Sequence, residues 1–288
     1  MRCYSVEPDP FPPSLAPSAP RLRIVAAART DVGQERSDNE DRVILADASS
    51  GRVWPPPSTV ELDALPGAFF ALVCDGMGGE AGGEIASSLA VEAAAAAMCA
   101  AYGKLAAPTE PLLAAALVAS LEAASARIKQ VARAEPVYGR MGTTATLALV
   151  TERALLCAQV GDSRAYVSSG GGLLQVTRDQ TMVELLRSSG AIPDEQIANV
   201  CGPNVILQAL GSSTKLEVVV SSTPIDDGDV VVLCSDGLHG PVSDDRIATL
   251  LAANEEPGAA CDALVREANA RGGPDNISVV VFRVGVRA

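Results

Sequence analysis

The sequence is poor in several residue types, and each shortage removes a class of chemistry. It carries one histidine in 288 residues, His239. No site can therefore use two or more imidazoles, which excludes most catalytic zinc centres. Aromatics make up 3%, so Ala, Val, Leu and Ile must build the core. Basic residues number 22 against 35 acidic ones, a formal charge of −13. Nucleic acid would need a basic footprint that this chain lacks, and an anionic membrane surface is disfavoured for the same reason. The seven cysteines form no CxxC pair and are scattered through apolar runs, the usage of buried free thiols in a reducing cytoplasm. No run reaches the roughly 18 strongly apolar residues of a membrane span. The nearest, Ala93 to Ala101, is short and Ala-rich.

What the chain does have is 48% apolar residues, ample for a core. The first 20 residues contain six prolines and lack the charged-then-apolar order of a signal peptide. Residues 1–20 are expected to be a disordered or polyproline-like tail, and residues 21–288 one domain. Strand-like runs recur at Leu22–Ala28, Arg42–Ala46, Phe69–Cys74, Thr144–Val150, Ala154–Val160 and Ala165–Val167. More follow at Leu173–Thr177, Leu216–Ser221, Val230–Cys234 and Ile277–Val284. Several neighbours are only a few residues apart, a spacing for antiparallel hairpins rather than helix crossovers. Helical periodicity marks Glu84–Ala101, Thr109–Ala134, Met182–Ser188, Asp244–Ala253 and Gly258–Ala270. The order of elements predicts an α+β fold with segregated helices. Ser49–Pro66 is expected as a surface loop, and about 181–207 as a flap-like insertion over the body.

Three acidic positions share one grammar. FFALVCDGMGG and VVVLCSDGLHG are apolar strands ending in Asp75-Gly76 and Asp236-Gly237, and GGPDNISVVVF sets Asp275-Asn276 before another. A single Asp-Gly is ordinarily a turn. A repeated design instead holds carboxylates rigidly at the rim of a sheet, with glycines that let an ion approach the backbone. Three carboxylates together repel unless a divalent cation neutralises them, and oxygen-only ligands select magnesium or manganese. Arg36-Ser37-Asp38-Asn39-Glu40-Asp41 is a fourth cluster, whose plain reading is a solvated loop. Its Arg nonetheless offers a planar fork for phosphate, and its acids can accept hydrogen bonds from metal-bound water. Gly161-Asp162-Ser163-Arg164 adds one more carboxylate, in what by itself is a tight turn.

RSDNED, DGMGG followed by EAGGEIAS, MGTTAT, GDSRAY, LQALG, SDGL and GGPDNIS stand in this order along the chain. Together they resemble the protein phosphatase 2C (metal-dependent protein phosphatase) family, bacterial type, over roughly residues 23–284. The resemblance implies a β-sandwich of two antiparallel sheets with helices on both outer faces (αββα). It also implies a serine/threonine protein phosphatase in which hydroxide bridging two magnesium or manganese ions attacks phosphorus, with no phosphoenzyme. Asp75 would bridge the ions, the Gly76 carbonyl would bind one, and Asp236 and Asp275 would complete the second. Asp162, with Asp236, would hold a third, weaker ion. Glu40 and Asp41 would hold metal-bound waters, Arg36 would grip the phosphate, and Asn276 would orient Asp275. Phosphorylated proteins, and a Ser/Thr kinase with its substrates, are the implied partners of a cytoplasmic monomer.

The chain departs from the family pattern in places. Met77 stands where some members have a histidine after the first Asp-Gly. Asp179-Gln180-Thr181 replaces Asp-His-Ser, and Val200-Cys201-Gly202-Pro203-Asn204 replaces a His-Pro…Arg-Asn signature. Both replacements fall in the flap, so they bear on substrate preference. His239 has no family role and is expected as a surface or loop residue, and Cys74 and Cys234 as packing residues. A binding-only pseudophosphatase would lack a metal carboxylate, and sporulation-type regulators tend to lack the Arg…Glu-Asp cluster. This chain retains both.

Overall fold

The computed structural model describes residues 21–78, 82–190, 192–202, 205–212 and 215–286. The expected tail, residues 1–20, and Pro203 and Asn204 lie outside these. The first half contains β1 (Leu22–Asp31), β2 (Arg42–Asp47), β3 (Arg52–Trp54), β4 (Ser58–Ala64), β5 (Phe69–Cys74) and β6 (Gly76–Met77). Helices α1 (Gly82–Tyr102) and α2 (Glu110–Ala134) follow. Then come β7 (Gly142–Thr143), β8 (Ala145–Val150), β9 (Ala154–Val160), β10 (Arg164–Ser169) and β11 (Gly172–Gln175). The remainder is α3 (Met182–Ser189), α4 (Asp194–Val200), β12 (Val219–Pro224), β13 (Val230–Cys234), α5 (Asp236–His239), α6 (Asp244–Ala253), α7 (Pro257–Ala270) and β14 (Ile277–Val286).

Two six-stranded sheets form, in the orders β11-β10-β13-β14-β1-β4 and β12-β9-β8-β5-β2-β3, with all pairs antiparallel. They stack face to face. Alternate residues of β2 and β5 (Val43, Leu45, Phe69, Ala71, Val73) point into the layer between the sheets with Val231, Leu233, Val280 and Phe282. The intervening ones (Ile44, Ala46, Phe70, Leu72, Cys74) meet α1 and α2 on the outer side. The other sheet packs its outer face on α6 and α7 through Val232, Leu251, Leu264 and Val281. Central strands covered on both faces read as unbroken apolar runs, which is why FFALVC shows no alternation. Phe69 and Phe282 meet edge to face across the layer at 5.2 Å, a contact worth about 1 kcal/mol beyond its buried area.

The expected α+β sandwich with helices on both faces is what forms. The loop expected at Ser49–Pro66 does not: β3 and β4 lie there. β4 is an edge strand whose alternate residues are exposed, and the Pro55–Pro57 run concealed that period-two signal. The strand expected at Leu216–Ser221 lies three residues later, and the flap holds two helices rather than one.

The reading of membrane-span length also needs correction. α1 and α2 have 18-residue windows of mean hydropathy 1.5 and 1.4, long and apolar enough to cross a membrane by length and composition. Their hydropathy comes largely from alanine, and both pack against the sheet through Ala90, Ala94, Met98, Leu117 and Leu121.

Candidate active site

Asp75 leaves the end of β5, Asp236 the end of β13, Asp275 precedes β14, and Asp162 sits in the β9–β10 turn. Antiparallel register puts all four at the same rim of the two sheets. They line one cleft of about 490 Å³ together with Arg36, Asp38, Glu40, Gly76, Met77, Thr144 and Ile206. Side chains distant in sequence are thus brought together, including every expected metal position.

A ladder of hydroxyls holds this rim. Thr144 Oγ1 accepts the Asp75 amide at 3.0 Å and lies 2.7 Å from Ser163 Oγ. Thr143 Oγ1 donates to the Asp75 carbonyl, and Thr146 Oγ1 to the Ser163 carbonyl at 2.6 Å. Gln159, 1% exposed, donates to the Ser163 carbonyl and accepts the Arg178 amide. The backbone of Asp75 is thereby tied to the loop carrying Asp162. MGTTAT and GDSRAY thus supply the frame of the site as well as Asp162. Sequence reasoning noted both motifs but assigned no role to Thr143, Thr144, Thr146, Gln159 or Ser163. The signal was there: three threonines in an otherwise apolar strand entry must find partners.

Glycines let the segments close. A Cβ on Gly76 would run into the Gly83 and Glu40 backbone, and one on Gly83 would reach Glu40 Oε1 at 2.5 Å. That contact brings the Glu40 carboxylate to the amide of Gly83 at the start of α1. Ser87 Oγ donates to the Glu40 carbonyl at 2.5 Å, and Arg42 pairs with Glu84 at 2.6 Å. The strand entry and the helix are therefore one unit.

Electrostatically, Asp75, Asp162 and Asp236 resist ionisation. Burial, then the nearby Asp41, Asp236 and Asp162, hold Asp75 well above the usual carboxylate range. Burial and Asp236 push Asp162 up to about 7. Burial, then Asp275, raises Asp236, and its buried Oδ1 has no hydrogen-bond partner. An orphaned carboxylate oxygen among like charges fits a divalent cation, and the donors are all oxygen, as hard divalent ions require. Among the described residues, no three acidic, cysteine or histidine side chains are drawn together tightly enough to make a ready-made metal shell. Asp275 is engaged elsewhere.

Its partner is Arg36, whose Nη2 donates to Asp275 Oδ2 at 2.6 Å. Asp275 Oδ1 accepts the Asn276 amide at 2.8 Å. The Asn276 side chain, expected to orient Asp275, reaches elsewhere: Oδ1 accepts the Glu40 amide and Nδ2 donates to the Val32 and Asp38 carbonyls. Asp41 is 1% exposed and accepts from Ser235 Oγ at 2.7 Å. Burial pushes its carboxyl up to about 7. Glu40 is raised by burial, with Arg36 opposing.

A second cavity of about 610 Å³ shares Arg36, Asp162, Asp236 and Asp275 and runs under α3. Arg164 there grips Asp179 with two nitrogens, at 2.9 and 2.7 Å. Gln180, at the altered flap motif, accepts the Gly161 amide at 2.8 Å, and Thr181 Oγ1 caps α3. His239, expected at the surface or in a loop, ends α5, is half-buried and lines this second cavity. Its Nε2 lies 3.1 Å from the Asp162 carbonyl, and burial with Arg164 nearby lowers its pKa to about 4. Cys74 and Cys234 are fully buried with thiols pushed up by burial, Cys234 to about 12. Cys99 and Cys201 are half-buried rather than buried.

Fold and cleft together define the class: a four-layer αββα protein with a carboxylate cleft suited to hard divalent cations. The chain belongs to the protein phosphatase 2C family, whose model matches residues 61–266. The serine/threonine protein phosphatase PstP of Mycobacterium tuberculosis is 35% identical over 260 residues, which are 90% of this chain and 44% of that protein. The chain therefore spans less than half the length of this relative. The serine/threonine phosphatase stp of Listeria monocytogenes is 31% identical over 89% of this chain and 94% of its own length. A crystal structure of the PstP catalytic domain with two manganese ions superimposes with a TM-score of 0.72 at 33% identity. It covers 92% of this chain and 99% of that one.

Proposed function

We propose that this chain hydrolyses phosphoserine and phosphothreonine in proteins with the help of two magnesium or manganese ions. The observation that carries the reading is the convergence of Asp75, Asp162, Asp236 and Asp275 in one cleft beside Arg36. Asp75, the Gly76 carbonyl, Asp236 and Asp275 would hold the two ions, and Asp162 with Asp236 a third. Bound divalent ions supply positive charge for the phosphoryl oxygens and lower the pKa of water toward neutrality.

The chain's own groups do the rest. Arg36 commits one of its five N–H donors to Asp275 and, half exposed, can turn others to a phosphate at the mouth. Glu40, which lines the cleft, would orient metal-bound water through hydrogen bonds. Asp41, expected to share that task, is 1% exposed, bonded to Ser235 and not part of the cleft wall. Cys74 and Cys234, next in sequence to the cleft, do not serve as nucleophiles, since a buried thiol held protonated supplies no thiolate. The relatives' names support phosphorylated proteins as substrates; a Ser/Thr kinase and its targets are the partners proposed with them, and a cytoplasmic monomer the proposed state.

The test is hydrolysis of p-nitrophenyl phosphate and of a phosphothreonine peptide with manganese, then with chelator. Turnover should require the metal and should fall at least about 10²-fold in Asp75→Asn. Equal rates with chelator, or unchanged turnover in the variant, would overturn the reading. So would the absence of any rate with either metal.

A further inference from the structure

We infer that an apolar groove at the far end of the sandwich is the seat of the chain's own proline-rich N-terminal segment, residues 8–20. The groove, about 580 Å³, is walled by Leu65, Pro66, Tyr102, Leu105, Ala107 and Pro108. Tyr102 and Leu105 pack on the core beneath it, and Tyr102 Oη donates to the Pro66 carbonyl at 3.2 Å, which fixes the ring. It lies where β5 begins and β8 ends, whereas Asp75 lies where β5 ends. A six-residue strand, roughly 20 Å, separates it from the catalytic rim.

Where the described chain begins argues for the occupant. β1 pairs with β4 in the register Arg23↔Asp63 and Leu22↔Ala64, and Arg21 Nη1 donates to the Asp63 carbonyl at 3.1 Å. Continued by one step, the same register would set Arg21 beside Leu65 in the groove wall, so the preceding segment would be delivered there. The segment delivered there contains Pro8, Pro10, Pro12, Pro13, Pro17 and Pro20 with Phe11 and Leu15. Such a sequence favours the extended polyproline helix at about 3.1 Å per residue, so Leu15 reaches roughly 16 Å from Pro20. Aromatic- and proline-lined grooves are the recurring receptors of that conformation, which loses little entropy on docking. This inference does not rest on the metal reading.

Hydrogen exchange on the full chain tests it, wild type against the double variant Phe11→Asp, Leu15→Asp. Amides of residues 102–110 should exchange about tenfold faster in the variant if the segment covers them. In a second measurement, Leu105→Asp should speed protease cleavage between Leu15 and Ala16 about tenfold. Hydrolysis of p-nitrophenyl phosphate should be unchanged throughout. Identical exchange in wild type and double variant overturns the inference. Protection that grows with protein concentration also overturns it, since a second copy's segment would then fill the groove. If Leu105→Asp fails to fold, the double variant still decides, because its changes lie outside residues 21–286.

Discussion

Arg36 Nη2 and Asp275 Oδ2, from residues 239 apart in the chain, lie 2.6 Å apart at the mouth of the cleft. The guanidinium thus takes up one oxygen of a carboxylate expected to bind metal, while the Asn276 amide takes the other. A metal held by Asp275 would compete with Arg36 for it.

Arg36→Ala should therefore bind manganese more tightly while hydrolysing phosphate more slowly. The pair is half exposed on the arginine side, so its loss is worth up to about 1 kcal/mol, or about fivefold in metal affinity. Loss of a phosphate-gripping charge should lower kcat/KM on the order of 10²-fold. Titration calorimetry and steady-state kinetics read the two effects separately. Weaker metal binding in the variant would contradict the competition.

The metal-free chain should lose stability as pH rises. Asp41 and Asp162 are pushed up to about 7, chiefly by burial, against about 3.9 in an unfolded chain. A carboxyl that keeps its proton longer when folded contributes fully below the unfolded pKa, and that contribution is lost as pH rises through the folded one. In chelator, Tm should fall between about pH 4 and about pH 7. Manganese should reverse the trend, because it binds the ionised set only in the folded state. A Tm that rises over this range in chelator would refute the electrostatic picture.

Asn276→Ala should destabilise the chain without removing a metal carboxylate. It strands the Glu40 amide and frees the Val32 and Asp38 carbonyls in a site 4% exposed. At about 1–3 kcal/mol for a buried group left unpaired, thermal unfolding should shift down by several degrees. Asn276→Asp, which keeps the acceptor and loses both donors, should fall between. No change in Tm for the alanine variant would show that water replaces the lost bonds.

Thr144→Val and Ser163→Ala should each slow catalysis, and the double variant should be little worse than either. Their hydroxyls share one 2.7 Å contact linking the Asp75 amide to the Asp162 loop. Groups in one network show coupling of about 0.5–3 kcal/mol in a double-mutant cycle. Simple additivity in kcat would mean that the ladder does not act as a unit.

Much of this molecule is written in local patterns. The apolar runs Phe69–Cys74, Ala154–Val160 and Val230–Cys234 became strands at those bounds, because aliphatic runs of that length between turns have few other outcomes. The Asp-Gly punctuation marked which ends mattered. β4 escaped notice because prolines broke the strand pattern before it. The hydroxyl ladder escaped because a threonine's partner is chosen by register between strands, not by its neighbours. Asn276 misled for the same reason: its backbone serves Asp275 beside it, while its side chain serves Glu40, 236 residues away.

By itself the sequence determined the acidic, oxygen-only chemistry, the exclusion of multi-imidazole sites, and most of the strands and helices, since these depend on residue type and short-range periodicity. Only the tertiary structure decided that Asp75, Asp162, Asp236 and Asp275 share one rim, that Arg36 holds Asp275, and that His239 rests against Asp162. Those relations arise from stacking two sheets in a particular register, and contacts across such distances follow from the packing of both layers at once.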